Sequence, residues 1–394
     1  MLILYGYSNC TDRKYKKIVS EHNVAVLQPD QKYHGLLIKG LVKKGVKVRC
    51  FSGLPINRSV TTRKRIYEKD EIEENAFFHY YTTINLPVLR QAMIFFAAFW
   101  NILFVKKEKD TYAICDCLNI ANAYGMKLGC KFRHIPVITI VTDLPDMTSD
   151  NKWLKKINNH LFKTVGGFIL LTEQMNLKIN HDNKPYIVLE GHSDFNAPAI
   201  NEREKWEAKT GKKIIIYAGS IQKLYGIQNL TEGFIKADLS NTELWIFGDG
   251  DYRETLIELS KKYPSICYKG VCDNKEVVEC EMKAALLVNP RPIEPEYTKY
   301  SFPSKNMEYM VSGTPVMTTK LPGMPKEYYQ YVYLFEDESP NGIARRLNEI
   351  LNIPIKERNQ KAQEARKFVI NEKSNVVQAG KILDFLKKKV EKDV

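Results

Sequence analysis

Residues 300–316 read Tyr300-Ser301-Phe302-Pro303-Ser304-Lys305-Asn306-Met307-Glu308-Tyr309-Met310-Val311-Ser312-Gly313-Thr314-Pro315-Val316. Ser301 is a residue type that caps helix N-termini, Pro303 suits a first helical turn, and Gly313 suits the left-handed position that closes a helix. The stretch predicts a short helix, Pro303–Ser312, entered from a loop that follows the apolar run Ala284–Val288 and left into a second run, Pro315–Thr318. Strand, loop, helix and strand in that order is the repeating unit of a parallel sheet wrapped by helices. Unfilled amides at the helix start, together with the dipole, favour an anion such as a diphosphate. Lys305 in the first turn adds a formal positive charge. Glu308, one turn after Ser304, cannot favour a phosphate but can accept two hydrogen bonds from the vicinal hydroxyls of a ribose.

The same rhythm extends on both sides. Upstream lie predicted strands Lys213–Ala218, Glu243–Phe247 and Ile266–Tyr268, with helices Ile227–Ala237, Tyr252–Lys262 and Lys275–Met282 between them. Tyr331–Leu334 reads as a later strand, and Ile355 to Val394 as a helical, Lys-rich tail. A first series precedes a polar stretch at Glu202–Thr210. Its predicted strands are Leu2–Tyr5, Val46–Phe51, Tyr112–Cys115, Val137–Val141 and Gly167–Leu171, and its helices are Gly35–Lys44, Pro87–Val105, Ile120–Cys130 and Asn151–Phe162. Several strands are continuous Val/Ile/Leu runs, as expected when both faces of a sheet are covered. Two βα series in succession predict an α/β chain of two Rossmann-like domains facing each other across a cleft. The expected bounds are 1–195 for the N-terminal domain, 205–375 for the C-terminal domain and 376–394 for a basic C-terminal helix. Ligands of such sheets bind beyond the carboxyl ends of the strands, so informative residues should follow strands.

The 394 residues carry 59 Lys and Arg against 46 Asp and Glu, a net charge of +13, with 44% hydrophobic and 27% charged residues. That balance excludes a disordered or low-complexity chain, and the length needs no disulfide or metal staple. The 8 cysteines form no Cys-x-x-Cys pair and read as reduced thiols of a cytoplasmic protein. Met1-Leu2-Ile3-Leu4-Tyr5 reads as a first strand, not a leader. One segment, Ala92–Val105, is nearly all apolar, with Arg90 before it and Lys106-Lys107 after. At about 1.5 Å per residue its 14 residues span roughly 21 Å, short of a bilayer core of about 30 Å. It reads as a buried helix, or else as a helix lying in a membrane interface with its basic flanks on anionic headgroups. On the second reading the protein is peripheral on the inner face of the cell membrane, with an anionic membrane surface as a partner. The charge alone also suits nucleic acid, but no nucleic-acid recognition module is present, and nucleic acid is not expected as a partner.

Glu308-Tyr309-Met310-Val311-Ser312-Gly313-Thr314-Pro315-Val316 resembles the motif that ends the donor site in GT-B glycosyltransferases of the retaining family 4 group. Tyr217 to Ile227 resembles the post-strand loop that opens the donor domain there, and Leu244-Trp245-Ile246-Phe247-Gly248-Asp249-Gly250 resembles the turn after its next strand. The three cover most of Lys213 to Leu334 in the family's order. The resemblance implies transfer of a hexose or N-acetylhexosamine from a nucleoside diphosphate sugar to a hydroxyl, with retention, by front-face attack in which the leaving phosphate helps to deprotonate the acceptor. It implies donor binding by Gly219, Ser220, Gly248, Tyr300, Ser301, Ser304, Lys305 and Glu308. Tyr300 stands where the family has its first Glu, Ser220 where it has an Arg, and Tyr225 where it has a Lys. Phosphate charge would then come from Lys223, Lys305 or Arg291. Asp249-Gly250-Asp251 looks like a metal-binding Asp-x-Asp, but its place after a central strand makes it a tight turn, so no metal or other cofactor is expected.

In the first domain, Tyr33-His34-Gly35-Leu36-Leu37 is read as opening a long helix, with His34 and Gly35 on the acceptor side. Thr142-Asp143 ends a strand, and there Asp143 could orient the acceptor hydroxyl or accept its proton, with Lys223 and Lys305 completing the catalytic set. Glu173 and Glu190-Gly191-His192 follow later strands. The acceptor would be a growing surface polysaccharide or a lipid-linked sugar. Two other readings remain open at this level: a GT-B-type sugar-nucleotide epimerase, and a non-catalytic nucleotide-sugar-binding partner of a transferase.

Overall fold

A computed structural model describes residues 1–22, 28–148, 151–197 and 202–390. The chain forms two compact units. One comprises residues 1–192 and returns from Asn375 onward, and the other is Ser193–Ser374.

The second unit is built on six strands in the order Ile266–Gly270, Thr242–Phe247, Lys213–Ala218, Leu286–Asn289, Val316–Thr319 and Tyr333–Phe335, all parallel. Alternate side chains leave opposite faces of a strand. Ile215 and Tyr217 therefore join Leu230, Phe234, Leu347 and Ile350 in one apolar layer, while Ile214, Ile216 and Ala218 join Met307, Met310 and Val369 in another. Burial on both sides explains the uninterrupted apolar strand. Chain order reverses between Lys213–Ala218 and Leu286–Asn289, which makes the space beyond their carboxyl ends the switch point where such sheets take ligands.

In the first unit eight strands run in the order Tyr186–Val188, Gly167–Leu170, Val137–Val141, Thr111–Asp116, Leu2–Gly6, Lys47–Ser52, Ala76–Tyr80 and Glu71–Glu73. Only the last is antiparallel to its neighbour. Helix Gln28–Lys43 covers one face together with helix Asn375–Phe385, through Leu37, Ile38, Leu41, Ala379, Ile382 and Phe385. The two helices meet closely: a Cβ on Gly40 would lie 2.2 Å from the Asn375 carbonyl oxygen, and the Asn375 side-chain amide donates to the Leu36 carbonyl at 3.0 Å.

Some expectations need correction. The first long helix starts at Gln28, seven residues before Gly35, because Pro29 and Asp30 suit a first turn. The polar stretch Glu202–Thr210 is structured: Arg203–Thr210 is a helix whose Arg203 is fully buried. Helices Asp12–His22 and Pro340–Asn352 and the small strands between Arg65 and Ile84 were not anticipated. The apolar segment is a helix, Pro87–Phe104, yet only Ile94, Ala98 and Ile102 of it are buried, so it is not a core helix.

Candidate functional site

Helix Ser304–Ser312 begins where the second sheet reverses. Its N-cap is Pro303, which supplies no side-chain acceptor, and among the described residues no side chain caps the helix. Ser301 therefore lies outside the cap position expected for it, and its buried Oγ makes no hydrogen bond among the described residues. Gly313 closes the helix at φ +71°, with its N–H on the Met310 carbonyl. Tyr309 holds the helix against the sheet: its buried hydroxyl accepts from the Ala218 amide at 2.8 Å and donates to the Ala218 carbonyl at 3.2 Å. Asn289, the last residue of its strand, donates to the buried Asn306 side chain at 2.8 Å. The helix start is thus fastened to the ends of both strands that flank the switch point.

The loops around it are equally constrained. Gly248, at φ +128°, lies so close to the loop after Ala218 that a Cβ would sit 1.8 Å from the Gly219 carbonyl oxygen. Gly226, at φ +78°, would place a Cβ 2.0 Å from the Pro290 carbonyl oxygen. Only glycine fits at either place, and the contacts draw the loop Gly219–Gly226 onto the turns that follow the two neighbouring strands. Ser220 and Lys223 are exposed in that loop, and the Lys223 amide donates to Asp251 Oδ1 at 2.8 Å. Asp249 Oδ1 accepts from the Gly250 amide at 2.9 Å. Both carboxylates of the Asp-Gly-Asp segment thus serve the turn. Arg291 lies 4.6 Å above the Tyr225 ring, and its buried Nε has no hydrogen-bond partner among the described residues.

Lys305 Nζ and Glu308 Oε2 form an ion pair at 2.9 Å with both side chains partly exposed. Burial alone would lower the lysine pKa, but the Glu308 and Glu281 carboxylates outweigh it and hold the ammonium above its usual range. Tyr300, partly buried, ends the short 3-10 turn Glu296–Lys299. Gly219, Ser220, Gly248, Tyr300, Ser301, Ser304, Lys305 and Glu308 all lie in or beside the carboxyl-end loops of this one sheet or in the helix they lead into. Tyr309 and Asn289 are the residues that sequence reasoning passed over. Both were readable as polar residues at strand ends or on the inner side of the motif helix.

The first unit has its own switch point, between Leu2–Gly6 and Thr111–Asp116. His34 is fully buried there rather than at a helix start. Its Nδ1 is 2.6 Å from the Tyr5 hydroxyl, its ring stacks on Tyr7 at 3.8 Å, and its Nε2 is 3.5 Å from Asp116 Oδ2. Gly35 sits in mid-helix, where a Cβ would lie 4.0 Å from Asp12 Oδ1. Asp143 is exposed directly after the strand Val137–Val141, beside the buried Thr142. Asp116, which ends the adjacent strand, is a buried carboxylate that the sequence reading did not single out, although it closes the apolar run Thr111–Asp116. Burial also raises the pKa of Asp30, which hydrogen-bonds Tyr7.

His192 donates from Nε2 to the Tyr33 carbonyl at 2.6 Å, and burial lowers its pKa from 6.5 to about 4. A depressed imidazole pKa stabilises the fold fully above pH 6.5, and that stability is lost as pH falls toward 4. With partial exposure the loss should be about 1–3 kcal/mol. Urea unfolding between pH 7 and 4 should be flatter in a His192→Gln variant, and a slope equal to wild type would refute the assignment. Among the described residues, no three His, Cys, Asp or Glu side chains are gathered as a metal-binding group.

Residues 199–368 match the family model described as glycosyl transferases group 1. No curated protein matches the chain. Among solved structures, HepE from Anabaena in complex with UDP superposes with a TM-score of 0.66 at 12% identity, over 98% of this chain and 100% of that one. Sucrose-phosphate synthase from Thermosynechococcus elongatus gives 0.66 at 13% identity, over 98% and 99%. The catalytic domain of starch synthase IV from Arabidopsis thaliana, bound to ADP and acarbose, gives 0.71 at 10% identity, over 99% of each chain. At such identities the likeness is one of fold. The chain has the GT-B glycosyltransferase fold, and residues 199–368, within its second unit, resemble the glycosyl transferases group 1 model.

Proposed function

We propose that this protein transfers a hexose or N-acetylhexosamine from a nucleoside diphosphate sugar to a hydroxyl of a surface polysaccharide or lipid-linked acceptor, with retention and without a bound metal or other cofactor. The observation that carries the proposal is the uncapped start of helix Ser304–Ser312 at the switch point, with Lys305 and Glu308 in its first turns. Free amides and the Lys305 ammonium would hold the pyrophosphate and stabilise the charge that develops as it leaves. Glu308 would accept from the ribose hydroxyls, while Gly219, Ser220 and Gly248 keep the backbone low enough for the nucleotide to lie across the loop. Tyr300 and Ser301 would face the sugar side, and Lys223 or Arg291 would supply further positive charge. Asp143 and Thr142 end a strand of the first sheet and would position the acceptor hydroxyl. UDP in HepE and ADP in the starch synthase domain support the donor class by likeness of fold.

A thermal-shift series tests the donor assignment. A ligand at about 100 times its dissociation constant stabilises by about 2.7 kcal/mol, so the matching nucleoside diphosphate should raise the melting temperature by several degrees, and its monophosphate by less. A flat response to every nucleoside diphosphate and sugar nucleotide would remove the donor site. Transfer of a labelled sugar to an acceptor extract, as against turnover of the donor alone, separates the transferase from an epimerase.

A further inference from the structure

We propose that one face of the first unit, built by helices Pro87–Phe104, Ile120–Arg133 and Lys152–Thr164, docks flat on an anionic lipid bilayer. This deepens the acceptor side of the function above, but it stands on residues that share nothing with the donor helix. Vesicle binding therefore reports on this face and nucleotide binding on the donor site, and each can fail alone.

The three helices form a continuous surface. Gly125 and Gly129 let the second approach the first: a Cβ on Gly125 would be 2.3 Å from the Phe95 carbonyl oxygen, and one on Gly129 would be 2.8 Å from Ile102 Cβ. Tyr124 joins the second helix to the third through its hydroxyl, which donates to the Ile157 carbonyl at 2.8 Å, and by stacking on His160. On the outside, Phe96, Trp100 and Phe104 are spaced one turn apart and are 56%, 50% and 76% exposed, with Phe132 and Trp153 exposed on the neighbouring helices.

Charge selects the partner. Together the three helices contain eight Lys and Arg and no Asp or Glu, in a chain whose carboxylates number 46. Aromatic rings among cations, with no carboxylate to repel a phosphate, match the boundary between acyl chains and acidic headgroups.

The first helix is long and apolar enough to cross a membrane by composition, yet the fold holds it on the surface. The Arg90 guanidinium donates to the Gly53 and Leu54 carbonyls at 2.7 and 2.8 Å, and Arg133 donates to the Leu103 carbonyl near its other end. Spanning would break these ties and the Gly125 and Gly129 contacts. Docking face-down keeps them.

Flotation of the full chain with vesicles tests the proposal. Vesicles of phosphatidylcholine alone should recover little protein. Vesicles containing about one-third phosphatidylglycerol should bind at least tenfold more, and less at about 0.5 M than at about 0.1 M salt. Trp100→Ser/Phe104→Ser should lower binding about tenfold, and Lys131→Glu/Lys156→Glu should abolish the preference for the acidic lipid. Both variants should keep the wild-type melting temperature, because the changed side chains lie on the outer face. Equal recovery on neutral and acidic vesicles would overturn the proposal. So would vesicle-independent dimers that Trp100→Ser/Phe104→Ser disperses, which would give the face to a second copy of the chain, or a preference for nucleic acid over vesicles.

Discussion

Replacing Glu308 by alanine should weaken binding of the preferred nucleoside diphosphate about 10- to 100-fold, while binding of inorganic pyrophosphate stays the same or tightens. The first half follows from losing charge-assisted hydrogen bonds to two hydroxyls, worth about 1.5–3 kcal/mol, where 1.4 kcal/mol is tenfold. The second follows from the ion pair. Lys305 is neutralised by Glu308 at 2.9 Å, so removing the carboxylate releases a cation toward the phosphate-binding end of the helix. Glu281 remains nearby to keep that lysine protonated. Calorimetric titration of both ligands into both proteins reads the contrast. A uniform loss for the two ligands would mean that the helix itself had moved, and no loss for either would place the ribose elsewhere.

Arg203→Ala should destabilise the second unit by about 3–4 kcal/mol, read by urea unfolding with the fluorescence of Trp206 and Trp245, which lie 6.0 Å apart in that unit. The Arg203 side chain is fully buried. Its Nε donates to the Ala284 carbonyl at 2.7 Å and its Nη2 to the Gly313 carbonyl at 2.9 Å, with Thr314 Oγ1 at 3.3 Å and the Asn359 side chain also in reach. Alanine would leave buried carbonyls unpaired around a cavity. Burial lowers the Arg203 pKa to about 10, so it is still charged at neutral pH. Arg203→Lys should recover little, because one ammonium cannot span carbonyls that a planar fork reaches together. Loss below about 1 kcal/mol would show that the site collapses or fills with water. Since Gly313 and Ala284 flank the donor helix and a switch-point strand, nucleotide affinity should fall with stability.

The same residue shows where sequence reading stopped. Six of the nine residues of Glu202–Thr210 are charged, and nothing local distinguishes the one arginine that folds inward from the lysines around it. Its partners are carbonyls more than 80 residues away. By contrast, the strand Lys213–Ala218 and helix Ile227–Ala237 carry their patterns within a single stretch, and both were readable to the residue. Helix Ser304–Ser312 was legible through Gly313 but not at its start, because Pro303 takes the position to which Ser301 is better suited by type. His34 was misplaced for a related reason: a His-Gly pair reads as a turn, while Pro29 and Asp30 had already begun the helix. The Lys305–Glu308 pairing and the clasp of Tyr309 on Ala218 are products of helix geometry and strand register.

The path of the backbone carries a practical consequence. The chain leaves the first unit after His192 and re-enters it at Asn375, where Gly40 receives the last long helix. The second unit is therefore an uninterrupted insertion that a single pair of cuts would excise. The first unit is a split gene product in miniature. Trimming the tail would injure the lobe encoded at the opposite end of the reading frame, and expressing residues 1–192 alone would leave that lobe with an open seam in place of its closing helix.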